Sequence, residues 1–522
     1  MTGDAGVENV LFVVLDTVRK DHLGPYGYDR PTTPGLDRFA DDPETAVFEQ
    51  AVAPAPWTLP VHASLFTGLY PSGHGADQEN PYLDGATTLA QTLSAAGHDT
   101  ACYSSNAWIT PYTRLTDGFD DQDNFFQVMP GDLFSGPLAR AWRALNDDER
   151  LRAVADKLVS LGNTAHEYLA GGEGSDSKTP AVVDRTRAFV EGSDPGWFAF
   201  VNLMDAHLPY HPPDEYAAEF APGVDSTSVC QNSKEYNAGA REIDDEEWAD
   251  IRALYDAEIA HMDAELTRLF DWLRETGRWE STMVVVCADH GELHGEHGTY
   301  GHEFCLYDPL VNVPLLVDHP GLAADPVETV ELLDLYHTVL DALGETGGDP
   351  AAPGDEAVPL DPRRSLLSAD YRDFPSTLDP ADPADPGARG GGDYGFVEYA
   401  RPVVELKQLE EKASAAGIEL DEGSRFYARM RAARRPDAKY VRIDRTPDEA
   451  FRLDADPDER TNLADDLDDH PALRGVERAL TAFEAASGGA WTTADDAEVS
   501  DDAVEEFDEE TQERLRDLGY LE

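Results

Sequence analysis

The chain has 522 residues, 41% of them hydrophobic and 9% aromatic, which is enough for a packed core and too long for a single core of ordinary size. Lys and Arg number 40 against 104 Asp and Glu, a formal charge of −64 that excludes nucleic acid and anionic lipid as partners. Dense apolar runs such as Val10–Leu15 exclude disorder of the whole chain.

Met1–Glu8 is short and acidic, and the first apolar run is only strand-length, so neither a signal peptide nor a membrane span is expected and a soluble, cytoplasmic protein is. Asn9–Leu15 (NVLFVVL) is continuously apolar and β-branched, the pattern of a central parallel strand buried on both faces. In Pro54–Gly68 (PAPWTLPVHASLFTG), Pro60 suits the first turn of a helix that runs to Thr67 and stops at Gly68. Thr87–Ala96 predicts a helix closed by Gly97. Trp197–Leu203 (WFAFVNL) repeats the buried-strand pattern. Trp248–Glu275 predicts a long helix, with Ile251, Leu254, Tyr255, Ile259, Met262, Leu266, Leu269 and Phe270 near the helical period. Met283–Ala288 and Val313–Val317 predict two more strands. This alternation predicts an α/β sandwich around a mostly parallel sheet over residues 1–373.

Gly347–Pro362 and Phe374–Gly392 are rich in Pro, Gly, Asp and Ala and are expected as loops, with 374–392 a linker. Beyond it, Gly395–Ala400 and Lys439–Ile443 predict strands and His470–Ala486 a helix, so 393–522 is expected to be a small α+β subdomain. Asp495–Glu510 is an acidic run expected to be a solvated face or loose segment. Cys102, Cys230, Cys287 and Cys305 form no C-x-x-C pair and are expected to be buried thiols.

Asp16 directly follows the first strand, and Asp289 and His290 directly follow another. The carboxyl ends of strands form the ligand crevice of open α/β sheets, and two carboxylates with an imidazole there suit a divalent cation. Thr58 stands at a helix mouth, where free N–H groups and the helix dipole favour negative charge. His62 lies one turn along on the same side. A metal-stabilised Thr58 alkoxide is a candidate nucleophile, against the plainer role of helix cap. Asp205 and His207 emerge at the end of the Trp197–Leu203 strand. In Glu292–His302 (ELHGEHGTYGH), His294 and His297 are expected to support loops, and His302 to bind anion oxygens or protonate a leaving group.

These segments, in this order, resemble the sulfatase family of the alkaline phosphatase superfamily. The resemblance rests on Asn9–Ala40, Pro56–Gly75, Met204–Pro213 and Ala288–Val317, and late in the chain on Lys439–Ile443 and Phe451–Ala464 (FRLDADPDERTNLA). It implies an alkaline-phosphatase-like fold, metal ligands at Asp16, Asp289 and His290, and Thr58 at the nucleophile position, itself on the metal. It further implies substrate contacts at His207, at His302 (where the family usually has lysine) and at Asn106. Three departures stand out. Thr17 occupies the place of a second metal-binding aspartate. His62 replaces the arginine of the Cys/Ser-x-Pro-x-Arg signature. Thr58 replaces the cysteine or serine converted to formylglycine, so that cofactor is not expected.

The expected protein is a hydrolase of small-molecule or glycan sulfate or phosphate esters using one divalent cation, with catalytic roles for Thr58, His62, His207 and His302. A threonine ester must be cleaved by water, which is easier at phosphorus than at sulfur. A phosphodiesterase with a second metal on Asp205, His207 and His302, a phosphoglycerol-type transferase and a non-catalytic anion-binding relative are the alternatives. The acidic composition resembles that of proteins from extremely halophilic archaea, because at about 1 M salt the Debye length falls to ~3 Å and self-repulsion is screened.

Overall fold

The NVLFVVL run forms strand β1 (Asn9–Leu15), and every residue of it is buried. Apolar on both faces, it needs cover on both sides, and it sits in the middle of a seven-stranded sheet. The computed structural model describes residues 7–78, 80–125, 177–322, 329–373 and 394–487. In chain order the remaining strands of this sheet are β2 (Thr45–Val47), β3 (Asp99–Ser104), β4 (Asp121–Asn124), β5 (Trp197–Leu203), β6 (Thr282–Cys287) and β7 (Leu315–Asp318). Their spatial order is β2-β7-β6-β1-β5-β3-β4. Only β7 runs against its neighbours. The expected strand Val313–Val317 is broken at Pro314, which has no N–H to give a ladder. Asn312–Val313 pairs elsewhere, and β7 begins at Leu315.

Helix α1 (Thr58–Thr67) ends at Gly68, whose φ of +70° is the left-handed conformation that glycine adopts freely. Helix α2 (Leu89–Ala96) starts two residues later than the sequence pattern suggests. Thr88 caps it, accepting from the Gln91 amide in a reciprocal capping box. Helix α3 (Asp245–Glu275) starts earlier than expected, because Asp244 caps it and three acidic residues occupy its first turn. Its predicted apolar stripe is buried against the sheet.

A second, antiparallel sheet follows: β8 (Gly395–Tyr399), β9 (Met430–Arg435), β10 (Ala438–Ile443) and β11 (Glu449–Phe451), in that order. Helix α4 (Val403–Ala415) lies between β8 and β9, and helix α5 (Pro471–Ala486) follows β11. One face of this sheet, with Val397, Tyr399, Met430, Ala432 and Val441, joins the main core. The other face, with Phe396, Ala433 and Tyr440, packs on Leu473, Leu480 and Phe483 of α5. β8 approaches so closely that a side chain on Gly395 would meet Val52 at 2.6 Å. The loop at Gly347–Pro362 is tied down by bridges from Gly347 to Pro359 and from Ala86 to Glu356. The four cysteines are buried and unpaired. The expected linker 374–392 and the acidic run Asp495–Glu510 lie outside the described residues. No helix among the described residues is long and apolar enough to cross a membrane.

Candidate active site

Four adjacent strands bring their ends to one place. Asp289 follows β6, Asp16 follows β1, Asn202 lies in β5 and Asn106 follows β3. Asp16, Asp289 and His290 are fully buried, and a potential ligand atom on each lies within 4.8 Å of the others. Asp16 Oδ2 accepts from Asn106 Nδ2 at 2.7 Å and from Asn202 Nδ2 at 3.1 Å. Asp289 Oδ1 accepts the backbone N–H of His290 at 2.9 Å and of Thr17 at 3.2 Å. Each carboxylate thus has one oxygen anchored. The other two, Asp16 Oδ1 and Asp289 Oδ2, are buried without a hydrogen-bond partner. Buried, unpartnered carboxylate oxygens are costly, and a cation between them removes the cost.

The electrostatics agree with that fit. Burial, and next the proximity of Asp16, push the Asp289 carboxyl well above the usual range. Burial, with His302 next, holds His290 well below the usual imidazole value. His290 donates its Nδ1–H to the Gly291 carbonyl at 3.0 Å, leaving the Nε2 lone pair toward Asp289 and Thr58. Such a bond fixes the ring's tautomer and orientation, and leaves Nε2 free to bind a cation. Gly291 is required here because a Cβ would lie 1.9 Å from the Pro309 carbonyl oxygen.

Thr58 is the first residue of α1. Its Oγ1 lies 3.3 Å from His290 Nε2 and 3.5 Å from Asn106 Nδ2. No side chain caps α1, so its free N–H groups remain for an anion beside Thr58. Thr17 holds the β1 exit in place at a φ of +58°, a strained conformation for a β-branched residue. Its hydroxyl donates to the Ala206 carbonyl, and its own carbonyl accepts from Tyr255 of α3.

A cavity of about 220 Å³ opens over Thr58 and is also walled by Asn106, His207, His302 and Trp108. The His302 ring lies 4.5 Å from that of His290 and 5.4 Å from that of His207, centre to centre. His302 donates to Glu292 at 3.2 Å. Burial pulls its pKa down, but Glu292 and Glu303 outweigh burial and raise it to about 9, so the ring is cationic at neutral pH. His207 donates its Nδ1–H to the Leu208 carbonyl, leaving Nε2 open.

One expectation changes. His62 does not line the cavity. It is fully buried behind Thr58, donating to the Thr58 carbonyl at 2.9 Å, with its ring edge-on to Phe200. Burial lowers its pKa, so it is no substitute for an arginine facing substrate. Asp205 is bonded to the Thr179 hydroxyl, while the rings of His207 and His302 lie together at the cavity. His294 and His297 support loops. His294 bonds Tyr210 Oη at 3.0 Å, and His297 stacks on Tyr307.

Sequence reasoning did not single out Asn202, Lys234, Glu303 or Glu405. Asn202 carried a signal, being the one amide in an otherwise apolar strand. Lys234 and Glu405 carried none, because only the fold brings them to the cavity.

The sulfatase family profile matches residues 8–345. The chain belongs to the sulfatase family. That places it among the hydrolases and transferases of the alkaline phosphatase superfamily. It is similar to an arylsulfatase of Clostridium perfringens, 25% identical over 370 residues, 64% of this chain and 74% of the relative. It is also similar to the multifunctional alkaline phosphatase superfamily protein PehA of Trinickia caryophylli, 27% identical over 391 residues, 65% of this chain and 74% of the relative. The solved phosphonate monoester hydrolase of Agrobacterium radiobacter shares the fold, with a TM-score of 0.61 at 21% identity over 92% of this chain and 96% of that one.

Proposed function

We infer that this sulfatase-family protein hydrolyses sulfate or phosphate esters with Thr58 as nucleophile, beside one divalent cation held by Asp16, Asp289, His290 and the Thr58 oxygen. The observation that carries this reading is the position of Thr58 Oγ1, 3.3 Å from His290 Nε2, which itself lies 3.4 Å from the unpartnered Asp289 Oδ2. A cation in that place would lower the energy of the Thr58 alkoxide and of negative charge building on the ester.

The rest falls to the chain's own groups. Thr58 Oγ1, its proton given up to solvent, attacks sulfur or phosphorus and the ester oxygen departs. Cationic His302 faces the cavity and supplies the departing oxygen with a proton. Asn106 donates toward the reacting oxygen, and the open N–H groups of α1 face the central anion. Water then cleaves the Thr58 ester and restores the hydroxyl. This second step favours phosphorus over sulfur, because a threonine ester has no second hydroxyl from which sulfate can be expelled by elimination.

An assay in molar salt, comparing an aryl sulfate with aryl phosphate mono- and diesters, tests the reading. Thr58→Ala is expected to lower kcat by about 10⁴-fold or more, and an unaffected rate would remove the nucleophile. The high-salt condition follows from the composition, which we read as that of a cytoplasmic protein in a salt-rich cell. Dialysis to low salt is expected to loosen the fold, and unchanged circular dichroism would refute that.

A further inference from the structure

We propose that the acid-rich wall of the cavity is an ammonium subsite, in which Glu405 selects leaving groups that carry a protonated amine, such as amino alcohols or amino sugars. The inference rests on the ester-cleaving reading of Thr58. The cavity, at about 220 Å³, is smaller than the roughly 300–1,000 Å³ of sites for drug-sized ligands, so the leaving group is small.

Three carboxylates reach that wall, Glu292, Glu303 and Glu405, all at least nine-tenths buried. Two cations answer them. Glu292 is paired with His302, and Glu303 is paired with Lys234. Formally the wall carries three negative charges against two positive ones. Glu405 accepts a hydrogen bond from the neutral amide of Gln78 and shares the attraction of Lys234 with Glu303. Burial raises its pKa, and the opposing pull of Lys234, partly offset by Glu303, does not cancel the rise.

Acceptors are in surplus as well. Glu292 Oε2 and Glu303 Oε2 are buried without a hydrogen-bond partner. A group bringing N–H donors and one positive charge supplies what this wall lacks. Tyr399, Trp57 and Trp108 add aromatic surface, which suits an organic cation. Glu405 is held rigidly enough to discriminate. It lies in the first turn of α4, and the next residue back, Val404, donates its N–H to Gln78 Oε1 at 2.8 Å. Gln78 therefore grips both the helix backbone and the carboxylate.

The test uses matched probes on the intact, metal-supplied protein in molar salt: the 2-aminoethyl and 2-hydroxyethyl esters of sulfate and of phosphate. Release of inorganic anion is expected to show kcat/KM at least about tenfold higher for the amino ester. Glu405→Gln is expected to bring that ratio close to one. A ratio near one in the unaltered protein, or a ratio that survives Glu405→Gln, would overturn the proposal. Should Glu405→Gln fail to fold, the ratio in the unaltered protein and the calorimetric comparison below decide the proposal.

Calorimetric binding of 2-aminoethyl and 2-hydroxyethyl sulfate to Thr58→Ala separates this idea from the reaction itself. Preference for the amine there upholds the subsite even if no ester is turned over. Equal binding of the two probes overturns it even if aryl esters are cleaved.

Discussion

Two clusters of buried charge can be set side by side. One lies where the second sheet meets the main body: Asp308 accepts from Arg434 at 2.7 Å and from Lys439 at 3.0 Å, and Lys439 also pairs with Glu459. Burial alone would raise Asp308, but Arg434 and Lys439 outweigh it and hold the carboxyl far below its usual range. The other cluster is Asp16, Asp289 and His290, where an oxygen on each carboxylate is unpartnered and Asp289 is raised. Both clusters are buried and each holds two carboxylates. The first has its counter-charges built in, and the second lacks them. A closed network fastens two parts of a fold, whereas an open one binds something the chain does not contain.

Removing one member from each cluster should therefore give opposite results. Lys439→Met leaves Arg434 on Asp308 but strands Glu459 in the interior, and is expected to cost about 3–5 kcal/mol of stability, read as a shift in denaturation midpoint. No loss would mean the junction network is idle. In chelator-treated protein, Asp289→Asn is expected to raise stability by about 1–3 kcal/mol, because it removes a repulsive buried charge. With divalent cation restored, the same substitution is expected to lose most of the ion-induced rise in melting temperature. A cation-induced rise that Asp289→Asn leaves intact would place the ion elsewhere.

The smallest effect concerns His302. Its pKa in the folded protein, about 9, lies above the ordinary imidazole value of 6.5. Its contribution to stability is thus complete below about 6.5 and is lost as pH rises through about 9. Activity that needs the cationic ring should fall on the alkaline side near the same pH. Glu292→Gln is expected to move that limb downward, and an unmoved limb would assign it to another group.

Much of this was legible in the sequence. β1, β5 and β6 are almost wholly apolar, so their type and their central place follow from composition, and the acids and imidazole after β1 and β6 mark the sheet edge. The helix ends at Gly68 and Gly97 follow from the freedom of glycine in the left-handed region. The side chains behind Thr58 and on the acid-rich wall of the cavity were hidden. His62 has the right spacing to face substrate, but Phe200 and the α1 backbone claim it. Glu405 lies on what reads as an ordinary charged helix, and only the return of the chain past β8 makes it part of the cavity. Periodicity reports which face of an element is buried, and it does not report what that face meets.

The second sheet is wedged between the main core and α5, and the residues just after β8 roof the cavity. On the proposed reading the bond-breaking groups lie between Asp16 and His302, while Tyr399, Pro402, Glu405 and Gln408 come to the same cavity from the later part of the chain. Substitutions in that later stretch would then alter which ester is admitted more than the chemical step.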